Sequence, residues 1–262
     1  MAEVAALLEL AKSAAVRAGT RLLENFAATD RSYVHSAQLP REVKAVADSV
    51  MERDILHGLA AAEIPVLSEE SGYIGAAQPG ALWFIVDPLD GTFNFVKRLG
   101  PSAVSIALWQ GQTPIFGVIF DLTAQQLAWG GAGLGAYIDG HAIAVSNTSS
   151  VALASICTGF PVRFAVDDER AMQAFFRLIS PYAKVRMLGS AAISLLHVAR
   201  GSADVYLEQN IMLWDVAAGV AIVQGAGGVV LTARSDRDWC YEVIASNAAL
   251  LPNIPGRERL RA

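Results

Sequence analysis

An apolar run from Leu82 to Val86 ends in two carboxylates, Asp87 and Asp90, which are separated by Pro88 and Leu89 and followed by Gly91 and Thr92. A buried strand that carries two acids to its carboxyl end makes a site for a hard cation. Magnesium suits it, because that ion takes oxygen ligands and binds through a few carboxylates, its own waters and a substrate phosphate. Alone, Asp-Pro-Leu-Asp-Gly is also an ordinary turn pattern that needs no chemistry. Further acids shift the balance. Ile64-Pro65-Val66-Leu67 is a short strand that delivers Ser68-Glu69-Glu70-Ser71, and Asp215 caps an apolar helix, Val216–Gln224. Glu69, Asp87, Asp90 and Asp215 therefore each fall at a strand end or a helix start. Four converging acids would raise one another's pKa, a conflict that two or three divalent ions would remove.

The elements that must position these acids follow from periodicity. Residues 3–26 read as an amphipathic helix, with Leu7, Leu8, Ala11, Ala15, Ala18 and Leu22 on one face. Residues 27–43 are polar and irregular and read as a loop able to close over a site. Asp48 to Ala62 reads as a second helix that Asp48 caps. Strands are expected at 103–109, 115–121 and 126–130, then a glycine-rich turn and a hairpin at Asp139-Gly140. The glycine-rich turn is no phosphate-binding loop of the Walker kind, since no Gly-Lys-Ser/Thr follows. Composition changes near Ser146–Ser150, which divides the chain into an α+β part, 1–148, and an α/β part, 149–262. In the second part, strands are expected at 152–158, 184–188, 203–208, 229–231 and 243–245, with helices at 169–179 and 191–198.

Composition removes several function classes. The chain has 262 residues, 53% hydrophobic and 17% charged, enough for two packed halves sharing a core. No apolar run reaches the roughly 18–20 residues that span a bilayer, and Met1-Ala2-Glu3-Val4 lacks a basic leader segment. Two cysteines, Cys157 and Cys240, form neither a disulfide framework nor zinc-ligand spacing. A reducing cytoplasm is the expected location. A net charge of −5 argues against a nucleic-acid surface. His35, His57, His141 and His197 are scattered and are read as structural. Arg163 is a lesser candidate to reach toward the substrate or a subunit partner and is assigned no role.

Taken together, Glu69-Glu70-Ser71, Asp87-Pro88-Leu89-Asp90-Gly91-Thr92 and Trp214-Asp215-Val216-Ala217-Ala218-Gly219 resemble the inositol monophosphatase family, the magnesium-dependent, lithium-sensitive phosphatases. The likeness extends to Lys44, the Asp48–Asp54 segment, Ala103–Ile106 and Gly225–Gly228, and so runs from about residue 5 to about residue 250. It implies a layered αβαβα sandwich of the sugar-phosphatase type and a homodimer. It implies that Glu69, Asp87 and the carbonyl of Leu89 hold one magnesium and that Asp87, Asp90 and Asp215 hold a second. A third, looser ion would rest on Glu69 and water. It implies a catalytic set of Glu69, Thr92, Asp54 and Lys44, in which Glu69 and Thr92 position the attacking water and Asp54 orients the Thr92 hydroxyl. Asp90, Gly91, Thr92 and Asp215 would meet the phosphate end of the substrate, and Gly189, Ser190, Ala191 and Glu208 its ring.

The chain departs from the family pattern at Met51 and Phe93, where threonine is common, and at Ser190. None of these is an implied metal ligand. The expected reaction is hydrolysis of a small phosphorylated polyol or sugar, foremost myo-inositol 1-phosphate, by direct attack of a metal-activated water. Within the enzyme class, the alternatives are a 3′(2′),5′-bisphosphate nucleotidase, a fructose-1,6-bisphosphatase and a histidinol-phosphate phosphatase. Outside it stands a non-catalytic binding protein.

Overall fold

A computed structural model describes residues 2–24, 33–35, 43–76, 80–160 and 167–260. The loop expected at 27–43 falls mostly outside these residues, as does Arg163. What is described of that loop is a short antiparallel pairing of Tyr33–His35 with Val43–Ala45.

Helices α1 (Ala2–Glu24) and α2 (Val46–Leu59) form the first layer. Their apolar faces, with Leu7, Leu8, Ala11, Leu22, Met51 and Ile55, bury against one face of an eight-stranded sheet. Each leucine removed from water this way contributes about 2 kcal/mol. The sheet runs, in spatial order, through His141–Ala142, Gly135–Ile138, Gln126–Gly131, Thr113–Asp121, Ala103–Gln110, Leu82–Asp90, Val66–Ser68 and Gly72–Ile74. All neighbours are antiparallel except Val66–Ser68, which runs parallel to Leu82–Asp90. That parallel pair brings Ser68 level with Val86, so the chain leaves both strands at the same end of the sheet, at Glu69 and Asp87. Side-chain alternation is clear along Leu82–Asp90: Phe84 and Val86 face the α1–α2 layer, and Ile85 faces the other way.

The remaining helices are α3 (Thr92–Lys97), α4 (Glu169–Ile179), α5 (Ala191–Ala199) and α6 (Leu213–Gly225). Helices α5 and α6 lie between the large sheet and a five-stranded sheet, as a third layer buried on both sides. The small sheet is ordered Lys184–Arg186, Ser155–Cys157, Val205–Met212, Cys240–Ser246, Val229–Arg234. Its outer face packs Ile156, Val205, Leu207 and Ile244 against Leu178 and Tyr182, which completes the fifth layer with α4. Helix α6 sits directly on the large sheet. A Cβ at Gly117 would lie 2.0 Å from the Ala218 carbonyl oxygen, so only glycine lets the helix come this close.

Several expected boundaries move, each for a local reason. The second helix begins at Val46 rather than Asp48, and the last long helix at Leu213 rather than Val216. In both, the acid expected to cap the helix sits in its first turn and reaches back to the N-cap amide. Asp48 Oδ2 accepts from Ala45 N at 2.7 Å, and Asp215 Oδ2 from Met212 N at 3.2 Å. The Asp139-Gly140 hairpin forms as expected, with positive φ at both residues.

Candidate metal centre and active site

Residues i and i+3 of a regular strand point to opposite faces. Asp87 and Asp90 escape this because the ladder to Ala103–Gln110 slips between them: Asp87 pairs with Ser105 and Asp90 with Ala103. Two residues, Pro88 and Leu89, stand opposite Val104 alone, which is a β-bulge. Proline has no amide to lose from the ladder, so it is suited to the bulge. The Asp87 carboxylate then accepts from Leu89 N at 3.0 Å, closing the turn on itself.

One oxygen from each of Asp87, Asp90 and Asp215 lies within 4.8 Å of the others. Asp87 and Asp90 are buried. Glu69 stands beside them, its amide bonded to Val86 O at 3.1 Å. Burial pushes the Asp87 carboxyl well above its ordinary range, and the charges of Glu69, Asp90 and Asp215 push it further. Asp215 is raised by burial and then by Glu69, Asp90 and Glu208. Glu69 is raised to about 8, by burial and then by Asp48. Asp90 is raised less, to about 6, because burial is opposed by hydrogen bonds from Ser190, Ala192 and Ala191. Its carboxylate takes a short bond from Ser190 Oγ and another from Ala192 N at 2.9 Å.

This donor set fits a hard divalent cation. Every side-chain donor in it is a carboxylate oxygen, with no thiolate or imidazole, and the acids destabilise one another's charged forms. Asp87, Asp90 and Asp215 are the residues that would hold such an ion together, with Glu69 on their flank.

Thr92 opens α3 beside these acids and brings a hydroxyl to them. Its Oγ1 is 3.0 Å from Leu89 O and 3.3 Å from Asp48 Oδ1. This corrects the expected role of Asp54. Asp54 instead pairs with Arg21 on α1, at 2.7 and 2.9 Å. The reason is helical: six residues at roughly 100° each turn Asp54 to another face of α2 from Asp48. Asp48 is buried, and burial raises its carboxyl to about 7. Lys44 forms an ion pair with Glu70, at 3.1 Å to both oxygens, next to Glu69 in the chain.

Gly91 adopts φ +81, and a Cβ there would stand 2.9 Å from Pro101 O and 3.2 Å from Gly189 O. The turn that starts α3 is thus pressed against the segment carrying Gly189, Ser190 and Ala191. Ser190 caps α5 by accepting from Ile193 N at 3.2 Å while donating to Asp90. Glu208 completes the group. It is buried, raised to about 7 chiefly by burial, and within the field of Asp90. Tyr206 Oη donates to it at 2.9 Å, and Gly159 leaves it room, since a Cβ there would approach Glu208 Oε1 to 2.8 Å.

Two polar residues of this neighbourhood lie outside the set expected from sequence. Glu52, one turn after Asp48 on α2, accepts from Ser71 N at 3.0 Å and Ser71 Oγ at 2.7 Å, which pins the turn behind Glu69. Asn94 bonds to backbone carbonyls of the C-terminal half. Only the i, i+4 spacing of Asp48 and Glu52, which puts both acids on one face of α2, hints at the first.

The chain matches the model of the Inositol monophosphatase family over residues 3–255. It is 33% identical over 245 residues to the fructose-1,6-bisphosphatase/inositol-1-monophosphatase of Aquifex aeolicus, covering 93% of this chain and 91% of that one. It is 32% identical over 228 residues to Nus factor SuhB of Escherichia coli K12, covering 86% and 84%. The solved structure of an inositol monophosphatase from Anabaena (Nostoc) sp. has a TM-score of 0.80 and 30% identity, over 98% of this chain and 99% of that one.

Proposed function

This chain belongs to the inositol monophosphatase family and is by that membership a phosphoric monoester hydrolase, and we propose that its substrate is a small phosphorylated polyol, foremost myo-inositol 1-phosphate. The observation that carries the reading is the meeting of Asp87, Asp90 and Asp215 within 4.8 Å, beside a threonine hydroxyl held by a buried acid. Glu208 supports the polyol: a buried carboxylate oriented by Tyr206 is an acceptor for ring hydroxyls.

The reaction follows from what these side chains hold. Magnesium, when bound by Asp87, Asp90 and Asp215 with Glu69, supplies positive charge against the phosphoryl oxygens and leaving alkoxide and makes a water nucleophilic at neutral pH. Thr92 Oγ1 donates its proton toward Asp48 Oδ1 or Leu89 O, and its lone pairs then accept from the attacking water and aim it. Asp48 is the group that takes up proton density at the end of that chain. Thr92, as the first residue of α3, presents an amide with no intrahelical acceptor, which suits a phosphate oxygen. Attack is direct, with no covalent phosphoenzyme.

We extend the reading to two or three magnesium ions, lithium inhibition, a homodimer and a cytoplasmic location. The free, buried Cys157 and Cys240 are consistent with a reducing compartment, and exposed Leu99, Phe160 and Phe176 offer apolar surface to a second copy. Among the described residues no helix is long and apolar enough to cross a membrane.

The test is phosphate release from inositol 1-phosphate, fructose 1,6-bisphosphate, histidinol phosphate and adenosine 3′,5′-bisphosphate, in magnesium with and without lithium. Preference for inositol 1-phosphate, with Glu208→Gln raising its KM more than that of p-nitrophenyl phosphate, supports the proposal. Preference for another member of the panel overturns the substrate assignment.

A further inference from the structure

We propose that Asn94 is a positioning residue for substrate selection: its side-chain amide locks segment 188–192 of the C-terminal half onto the turn carrying Gly91 and Thr92. The inference rests on the polyol-phosphate reading above, in which that segment meets the ring and the turn meets the phosphate. The Asn94 lock would fix the separation of the two.

Asn94 Nδ2 lies 2.7 Å from Leu188 O, 2.9 Å from Pro101 O and 3.3 Å from Gly189 O. Carbonyls only accept, so three of them around one atom identify it as the amide nitrogen, and a primary amide is the neutral group that brings two N–H donors on one atom. Leu188 and Gly189 are distant in sequence and belong to the other half of the chain. The contact is close on both sides. Gly189 has φ +73, and a Cβ there would lie 3.0 Å from Asn94 Nδ2 and 3.1 Å from its Oδ1.

Segment 188–192 is tied down at a second point, where Ser190 Oγ and the amides of Ala191 and Ala192 meet Asp90. That tie involves an acid of the metal centre, so changing it would also disturb metal binding. The Asn94 amide bonds to backbone carbonyls rather than to an acid of the metal centre, so its effect on selection is separable.

The experiment compares wild type with Asn94→Ala and Asn94→Asp. The second is nearly isosteric but presents an acceptor to three carbonyl oxygens. Two quantities are read: kcat/KM for inositol 1-phosphate relative to p-nitrophenyl phosphate, and amide hydrogen exchange of peptide 187–193 in metal-free protein. Loss of one or two such hydrogen bonds is expected to lower the ratio about tenfold and to speed exchange at Ala191 and Ala192 by a similar factor, more in Asn94→Asp. A ratio within about twofold of wild type, or unchanged exchange in that peptide, would overturn the proposal. If Asn94→Asp fails to fold, Asn94→Ala, which adds no charge, carries both arms. If wild type itself shows no preference for inositol 1-phosphate, the substrate reading falls and the exchange arm alone decides the role of Asn94.

Discussion

Thr92 Oγ1 lies 3.3 Å from Asp48 Oδ1, across 44 residues of chain, while the Asp48 Oδ2 holds the Ala45 amide at 2.7 Å. The carboxylate is thereby fixed by the start of α2 before it meets the threonine. Asp54, on another face of the same helix, is occupied by Arg21.

Asp48→Asn should therefore lower kcat by about 10²-fold or more, the usual size of a lost general-base contribution, with little change in magnesium affinity. Asp54→Asn should leave kcat within about twofold and cost at most about 1 kcal/mol of stability, since its ion pair is partly exposed. Steady-state kinetics on the two variants checks this. The reverse ranking would restore the catalytic role to Asp54.

The metal-free protein should lose stability as pH rises. Burial raises Asp90 to about 6, Asp48 and Glu208 to about 7, and Glu69 to about 8. The native state therefore keeps protons that the unfolded chain releases above its ordinary carboxylate pKa values, near 3.8 and 4.5. Stability is highest below those values and falls as pH climbs through about 6 to 8. Thermal unfolding in a chelator from pH 5 to 8.5 should show a falling Tm, and magnesium should restore it at the alkaline end. Glu208→Gln should remove up to about 1.4 kcal/mol per pH unit of that slope. A flat chelated profile would show that these acids do not carry raised pKa values.

Much of the fold was legible because its local signals agree. Leu82–Val86 is apolar throughout, as a strand covered on both faces must be, and Asp139-Gly140 is a dipeptide that tolerates two positive φ angles. The metal acids were legible from their places at element ends together with the family resemblance. Asp48 and Asp54 were harder, since both lie in one short segment of α2 and the choice depends on which helix face meets Thr92. Helix starts were misplaced for a related reason. An acid in the first turn that reaches back to the N-cap amide reads in sequence like the cap itself, as at Asp48 and Asp215. Asn94 could not be found because its partner, Leu188, is set by tertiary packing alone, and Glu52 is hinted at only by its i, i+4 spacing from Asp48, its partner Ser71 being equally a matter of packing.

The passage between the two sheets depends on Asp204. Its carboxylate takes Ser146 Oγ and Ser155 N, each at 2.7 Å, and Ser155 Oγ at 2.9 Å, while Asn247 Nδ2 bonds Thr148 O at 2.8 Å. Asp204→Ala should cost about 1–3 kcal/mol in urea unfolding, because the donors at Ser146 and Ser155 lose their acceptor. Its kcat should stay close to wild type, since the Asp204 carboxylate bonds to Ser146 and Ser155 rather than to the acid cluster. A large fall in kcat at full stability would mean that the passage transmits strain to the site.

On the proposed function, Asp87, Asp90 and Asp215 form one magnesium site that turnover requires. Isothermal titration of magnesium into wild type and Asp90→Asn, alongside phosphate release from inositol 1-phosphate, addresses it most directly. Binding to wild type should be saturable, binding to Asp90→Asn at least tenfold weaker, and turnover of that variant about 10³-fold lower at saturating magnesium. Wild-type turnover in chelator, or Asp90→Asn turning over at the wild-type rate, would contradict it.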